Sequence, residues 1–166
     1  MEYLASLLTY NFVSSLVKVS WREILLAVQR QFVSREFAIQ AAMVELELLD
    51  EYPDQLLDLA SLDKTNDIHP YIDELASMEQ ELDEEACSRK WLFLILAWVY
   101  EHRESYSDPL GVVEQVYADF DYPEAIEGFV RYMPSEEPDL GSTEKNVARL
   151  FEKWGAFLEI EKESYK

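Results

Sequence analysis

The sequence has little of the chemistry on which many enzymes and disulfide-stabilised proteins depend. Its 166 residues include one cysteine, two histidines and four glycines. A single cysteine excludes an intramolecular disulfide and is typical of a reducing compartment. The sequence has no P-loop, no G-x-G-x-x-G and no G-x-S-x-G pattern, so it lacks the common phosphate-binding and nucleophile motifs. With few glycines and no Asn-Gly or Asp-Gly dipeptide, β-hairpins have no sequence support.

Long hydrophobic runs and basic residues are also scarce. The longest apolar run, WLFLILAWVY at 91–100, has ten residues, which is about half of a membrane span. Glu2 stands where a secretory signal peptide carries a basic residue. The 14 basic residues are outnumbered by 34 acidic ones and form no dense patch, which argues against nucleic-acid binding and against binding to anionic membranes. We therefore expect a cytoplasmic protein.

The net charge of −20 is distributed unevenly along the chain. Residues 36–88 contain sixteen acidic side chains and only Lys64 as a base, and residues 119–139 contain seven acidic side chains and only Arg131. The remaining segments are close to neutral. A surplus of this size repels itself and would steer a cationic partner toward the protein. The alternative interpretation is that the surplus only reflects the acidic composition that many bacterial cytosolic proteins have.

Serine residues mark the predicted starts of three helices. Ser20 and Glu23 have the S-x-x-E spacing of a capping box. Ser34 and Ser142 each precede a segment in which apolar residues recur every three or four positions. The segment after Ser34 is predicted to pack Phe37, Ala41, Val44 and Leu48 on one face.

The prolines and the central apolar run complete the predicted fold. Four prolines precede helix-compatible runs, and a proline in the first turn of a helix costs no hydrogen bond; they are Pro53, Pro70, Pro109 and Pro123. A helix near 82–103 is apolar on all sides in its middle, so we expect it to be buried. The sequence therefore predicts an all-α fold. We expect a compact single domain over 1–166, with about seven to nine helices stacked as solenoid-like helical hairpins.

No motif predicts a metal, a cofactor or a catalytic nucleophile. Residues 63–74 have part of the spacing of a calcium loop, but Ile68 stands where that loop needs glycine. A capped turn between helices is the stronger interpretation. Cys87 and His102 are fifteen residues apart on one predicted helix, too far for a hydrogen bond, and Cys87 is expected to be a small buried hydrophobic residue. We expect no enzyme activity.

The stretch DFDYPEAIEGFVRYMP at 119–134 combines carboxylates, aromatic rings and two prolines. Asp121 and Glu124 have a box-like spacing, which predicts two helix ends that meet at a capped proline corner. Phe129 is predicted to pack in the core, whereas Tyr122 is a candidate for exposure because it stands at the corner.

Exposed tyrosines among carboxylates suit a lysine- or arginine-rich partner, because ion pairing and cation–π contacts combine. Core packing of the tyrosines is the alternative. The predicted partner-binding residues are Asp119, Asp121, Tyr122, Glu124, Glu127, Glu136, Glu137 and Asp139.

Three runs carry a resemblance to a known family. They are VYADFDYPEAIEGFVRYMP, VSWREILLAV and RKWLFLILAWVYEHR, with YADFDYP as the most specific part. Together they resemble an uncharacterised bacterial family of small acidic proteins, a domain of unknown function. The resemblance implies no activity and no catalytic residues. By a weaker analogy, the chain is similar to immunity proteins of bacterial toxin systems.

These observations favour a non-catalytic module that binds a basic protein. An immunity protein that neutralises a basic toxin through an anionic surface is the most concrete form of this hypothesis. One alternative is an adaptor that holds a partner helix in an apolar groove. The other alternative is a metal-dependent hydrolase that uses carboxylates such as Asp119 and Asp121.

Overall fold

The computed structural model describes residues 8–63, 65–135 and 137–166. Within these ranges the chain forms eight α-helices, two 3₁₀ helices and no β-strand, which confirms the all-α class and the predicted number of helices. The contacts divide the chain into two units, Met1–Trp91 and Leu92–Lys166. The single domain stays a prediction. No helix formed by the described residues combines the length and apolar character that crossing a membrane requires.

The first unit contains five helices and the beginning of a sixth. Helix α2 packs against α5, α3 packs against α1 and α4, and α4 packs against α5. Two of these contacts, α3 with α4 and α4 with α5, join helices that are consecutive in sequence, and the other two join helices farther apart. The bounds are α1 Tyr10–Leu16, α2 Trp21–Gln29, α3 Arg35–Leu48, α4 Asp54–Ala60, α5 His69–Ser77 and α6 Glu84–Glu101.

The start of α2 is fixed by side chains from two parts of the unit. The Glu23 N–H donates to Ser20 Oγ at 3.2 Å, and the Ser20 N–H donates to Glu23 Oε1 at 2.9 Å. The predicted capping box is confirmed. From beyond α5, the Glu79 carboxylate accepts the N–H groups of Trp21 and Arg22 at 3.1 and 2.9 Å. Most of the N–H groups that a helix start leaves unpaired are thus satisfied.

A buried ion pair joins α2 to the first part of α6. Lys90 Nζ lies 2.7 Å from Glu23 Oε2, and the two side chains are 18% and 10% exposed. Lys90 also donates to the carbonyl of Lys18 at 2.9 Å, and the indole N–H of Trp91 donates to the carbonyl of Glu23 at 3.1 Å. Because charge-assisted hydrogen bonds inside a protein are geometrically demanding, these contacts fix the position of α6 on α2.

Two features of α3 differ from the prediction. Ser34 occupies the N-cap position, but its hydroxyl makes no capping hydrogen bond. Phe37 and Ala41 are buried as predicted, whereas Leu48 is 77% exposed. The prediction that Leu48 packs in the core is wrong, because Leu48 is the last residue of α3 and its side chain is exposed.

The second unit contains the rest of α6, two further α-helices and both 3₁₀ helices. The long internal helix predicted near 82–103 is confirmed as α6, in which the six residues Trp91–Leu96 are all buried. Ser142 caps α8 by accepting the Lys145 N–H at 3.2 Å, also as predicted. The bounds are 3₁₀ Arg103–Ser105, α7 Pro109–Asp119, 3₁₀ Glu124–Phe129 and α8 Thr143–Ser164.

The four prolines stand at helix starts, as predicted. Two occupy N-cap positions and two lie in the first turn.

In the second unit, Phe129 is confirmed as a core residue, since its buried ring stacks on Trp154 with ring centroids 6.1 Å apart. Trp154 also receives the edge of Tyr100 at 5.1 Å. Gly155 allows this close packing, because a Cβ there would lie 2.8 Å from the Tyr100 hydroxyl.

Candidate partner-binding site

Helix α7 ends in a Schellman motif that contains no glycine. The Tyr122 N–H donates to the Tyr117 carbonyl at 2.8 Å, and the Asp121 N–H donates to the Ala118 carbonyl at 3.1 Å. This is the pair of hydrogen bonds that defines the motif. Asp121 and Tyr122 have φ angles of 60° and 55°, in the left-handed region. Aspartate tolerates that region better than most residues, whereas tyrosine does not, so the turn is strained.

The second helix end of the corner is not capped as predicted. Asp121 belongs to the end of α7, and the following 3₁₀ helix begins after Pro123 without a side-chain capping hydrogen bond. The prediction of a capping box between Asp121 and Glu124 is therefore wrong. Because its carboxylate is not used as a cap, Asp121 projects an exposed charge from the turn.

Three tyrosines meet at this turn. The Tyr122 ring packs edge-on against Tyr117 at 5.2 Å, and the Tyr132 ring lies 6.1 Å from Tyr117. Tyr117 is buried, whereas Tyr122 and Tyr132 are each 57% exposed. The predicted exposure of Tyr122 is confirmed. Tyr117 and Tyr132 are not among the predicted partner-binding residues, although Tyr132 stands in the same acidic, aromatic stretch and Tyr117 just before it.

The three phenols and nearby carboxylates influence one another. Burial raises the pKa of Tyr117, and the hydrogen bond from its hydroxyl to Glu127 Oε1, at 3.2 Å, raises it further. Burial also raises the pKa of Tyr132, with smaller contributions from Tyr122 and Glu114. Tyr117 and Tyr132 therefore remain neutral near pH 7 and present aromatic faces next to negative charge.

Some of the predicted acidic residues have unpaired carboxylates, and others form hydrogen bonds or ion pairs. Asp121 and Glu124 are exposed, and among the described residues neither carboxylate has an ion-pair or hydrogen-bond partner. Asp119 is exposed at the last position of α7 and accepts hydrogen bonds from Gln115 at 3.3 and 3.4 Å. Glu127 is half-buried against Tyr117. The unpaired charges thus flank Tyr122 in sequence.

Glu137 and Asp139 contact α8 instead. Glu137 forms ion pairs with Lys153 and with Arg149, the second at 3.4 Å. Asp139 accepts the side-chain N–H of Asn146 at 2.9 Å. These contacts lower the pKa of both carboxyl groups, chiefly through Lys153 for Glu137 and through Asn146 for Asp139. Glu136 lies outside the described residues.

A groove of about 740 Å³ lies between this loop, the second 3₁₀ helix and α8. Its walls carry both signs of charge, including Glu124 and Glu127 on one side and Arg149 and Lys153 on the other. Arg131, which also lines the groove, is held by Glu114 at 2.6 Å and by Asp108 at 2.9 Å. The cation that precedes Tyr132 in the sequence is therefore already paired with two carboxylates.

Among the described residues, the structure shows no arrangement of side chains that supports a metal site or a catalytic nucleophile. Among residues 8–63, 65–135 and 137–166, no three histidine, cysteine, aspartate or glutamate side chains are grouped to hold a metal ion. In the segment 63–74, Asp63 Oδ1 accepts the Thr65 N–H at 2.8 Å, as in a hydrogen-bonded turn. Cys87 is buried, which confirms that prediction. Burial raises the pKa of its thiol to about 12.

The comparison with protein families decides the classification. The family described as an uncharacterized protein conserved in bacteria (DUF2247) matches residues 10–162. The chain belongs to this family. The resemblance inferred from YADFDYP and the two other runs is confirmed, and all the predicted partner-binding residues of this DUF2247 member lie within the match. No curated protein and no solved structure matches the chain.

Proposed function

We propose that this DUF2247 member is a non-catalytic protein that binds a basic partner through the α7 turn and its neighbours. We define the tyrosine–acid corner as Asp121, Tyr122, Glu124 and Tyr132. The observation that carries the proposal is the exposed ring of Tyr122, held between two unpaired carboxylates on a strained turn. This combination supports recognition of lysine or arginine side chains.

The strain in the turn supports a binding function. Glycine at Asp121 or Tyr122 would relieve the left-handed backbone, yet the chain has larger side chains at both positions. Strained residues of this kind are concentrated at sites of ligand contact, where the surrounding structure maintains them. Here the Schellman hydrogen bonds and the Tyr117–Tyr122 contact maintain the strain. The benefit is a rigid, solvent-accessible aromatic ring, which loses little entropy when it binds.

The charge distribution supports a cationic partner. Residues 119–139 carry seven acidic side chains and one arginine, and that arginine is occupied by Glu114 and Asp108. A negative surface accelerates encounter with a basic protein, and added salt weakens the attraction. Binding at this corner should therefore be salt-sensitive.

The biological form that we propose is an immunity protein that masks a basic toxin such as a nuclease, in the cytoplasm. The carboxylates would take the place of the phosphates that a nuclease binds. A toxin encoded beside this chain would be the first partner to examine. The mixed charge of the α8 groove does not favour an apolar helix as its ligand, and no observation in the second unit favours the hydrolase.

Affinity capture with paired variants tests the proposal. The immobilised chain is exposed to bacterial lysate at low ionic strength, beside the variants Asp121→Asn with Glu124→Gln, and Tyr122→Ala. The control, Glu152→Gln with Glu159→Gln, changes the net charge equally at exposed positions of α8. We expect the control to retain a basic protein that both corner variants lose. Equal retention by all variants, or no retained basic protein, would contradict the proposal.

A further inference from the structure

A second exposed surface lies in the first unit, where α3 turns into α4. Ten large hydrophobic residues among those described are exposed, and four of them stand within positions 48–57. We define the α3–α4 corner by these four, which are Leu48, Leu49, Tyr52 and Leu57, exposed by 77%, 40%, 43% and 46%. Isolated exposed apolar residues are normal, whereas a cluster at one turn indicates a contact surface.

The periodicity of α3 shows that this exposure continues an apolar face. Phe37 and Ala41 lie on the buried face of the helix, and Leu48 lies two turns beyond Ala41 on the same face. Met43 is also exposed, but it stands five positions before Leu48, about 140° around the helix. At the last residue of α3, Leu48 thus presents a core-type side chain that is 77% exposed.

The charge around the α3–α4 corner identifies the kind of molecule that fits it. Between positions 47 and 58 there are five acidic side chains and no basic one. None of these carboxylates has an ion pair or side-chain hydrogen bond among the described residues. They are Glu47, Asp50, Glu51, Asp54 and Asp58. A molecule that covers the apolar side chains therefore gains attraction when it carries positive charge beside its own apolar face.

We propose that the α3–α4 corner binds a cationic amphipathic helix of a partner protein. Such a helix presents an apolar stripe flanked by lysine or arginine, which matches apolar side chains bordered by carboxylates. A second copy of this chain does not fit, because two molecules that each carry −20 repel one another. An anionic membrane is disfavoured for the same reason. The α3–α4 corner and the tyrosine–acid corner share no residue, so each can be tested with its own variants.

A designed peptide provides the test. The fluorescein-labelled peptide LKKLLKLLKKLLKL forms an amphipathic, basic helix, and a scrambled peptide of the same composition has no apolar face. Fluorescence anisotropy measures the affinity of each for the full chain and its variants. Truncation of central apolar contacts weakens binding by about tenfold or more. We therefore expect Leu48→Ser with Leu57→Ser to cause such a loss for the amphipathic peptide.

Three matched variants separate this surface from general attraction to an acidic protein. Met43→Ser and Met78→Ser alter exposed methionines of the same unit outside the corner, and Tyr122→Ala alters the other surface. We expect each to change the affinity by less than about twofold, within ordinary surface effects. Circular dichroism confirms that the variants fold. Unchanged binding by the Leu48 and Leu57 variant, equal binding of the scrambled peptide, or a dimer that the variant abolishes would overturn the proposal.

Discussion

The ring of Tyr122 packs edge-on against the ring of Tyr117, with centroids 5.2 Å apart and planes at 82°. The two residues are also joined by the backbone hydrogen bond that closes the end of α7. A contact between these two positions commonly accompanies a Schellman motif. In this protein the contact also fixes the direction of an exposed tyrosine. One turn therefore both ends a helix and positions the ring to which we assign partner binding.

The left-handed conformation of Asp121 predicts an unusual preference for glycine. Asp121→Gly should give a free energy of unfolding about 1 kcal/mol higher than Asp121→Ala, because alanine pays the steric cost that glycine avoids. Urea unfolding measures both values. Asp119 provides the control, since it is helical in α7. There alanine should be the more stable by about 0.5–1 kcal/mol. The same order at both positions would contradict the assigned turn.

The buried ion pair between Lys90 and Glu23 predicts an asymmetric response to mutation. Lys90→Met should lower the free energy of unfolding by about 3 kcal/mol, because it leaves the Glu23 carboxylate buried without its cation. Adding Glu23→Gln should recover much of this loss, since glutamine removes the charge and still completes the capping box. Chemical denaturation measures both effects. Lys18→Met, at an exposed side chain, is the control. A double variant no more stable than Lys90→Met would refute this view of the pair.

The partly buried carboxyl group of Glu45 should make the stability of the fold depend on pH. Burial raises the pKa of its carboxyl group, and the charge of Glu79 adds to the effect, against the hydrogen bond from Trp21. A raised carboxyl pKa means that the protonated form favours folding. That stability is present below the unfolded pKa of about 4.3 and is lost as pH rises through the folded value.

Glu45→Gln should therefore unfold at a higher temperature than the wild type at pH 7, and this difference should shrink as pH falls below about 4. The amide oxygen can still accept the Trp21 indole N–H. Thermal scans at several pH values provide the measurement. Glu47→Gln, at an exposed position of the same helix, controls for the loss of one charge. A difference between Glu45→Gln and wild type that does not vary with pH would show that burial of this carboxylate is not the cause.

Local patterns predicted the helices well because their causes are local. The Ser20 and Glu23 box, the proline starts and the Ser142 cap each depend on residues within one turn. The burial of Trp91–Leu96 in α6 followed from an apolar run with charged flanks. The predicted burial of Leu48 was wrong for a different reason. Periodicity defines a face of a helix, but it does not show whether another helix covers that face.

The candidate site was only partly predictable. The exposure of Tyr122 followed from its place beside a proline, but the end of α7 carries no glycine to reveal a left-handed turn, so Asp121 was assigned to the wrong helix end. The partners of Glu137 lie twelve and sixteen residues away on α8. Such pairings arise from tertiary packing and leave no periodic signal in the sequence.

An NMR titration tests the central claim most directly. The probe is the peptide acetyl-Arg-Gly-Arg-amide, added at low salt to the ¹⁵N-labelled chain, with the Asp121→Asn, Glu124→Gln variant in parallel. Our account predicts saturable shifts of the amide signals of Asp121, Tyr122, Glu124 and Tyr132, which the variant loses. Uniform, non-saturating shifts across all acidic segments, or unchanged signals at these four residues, would contradict it.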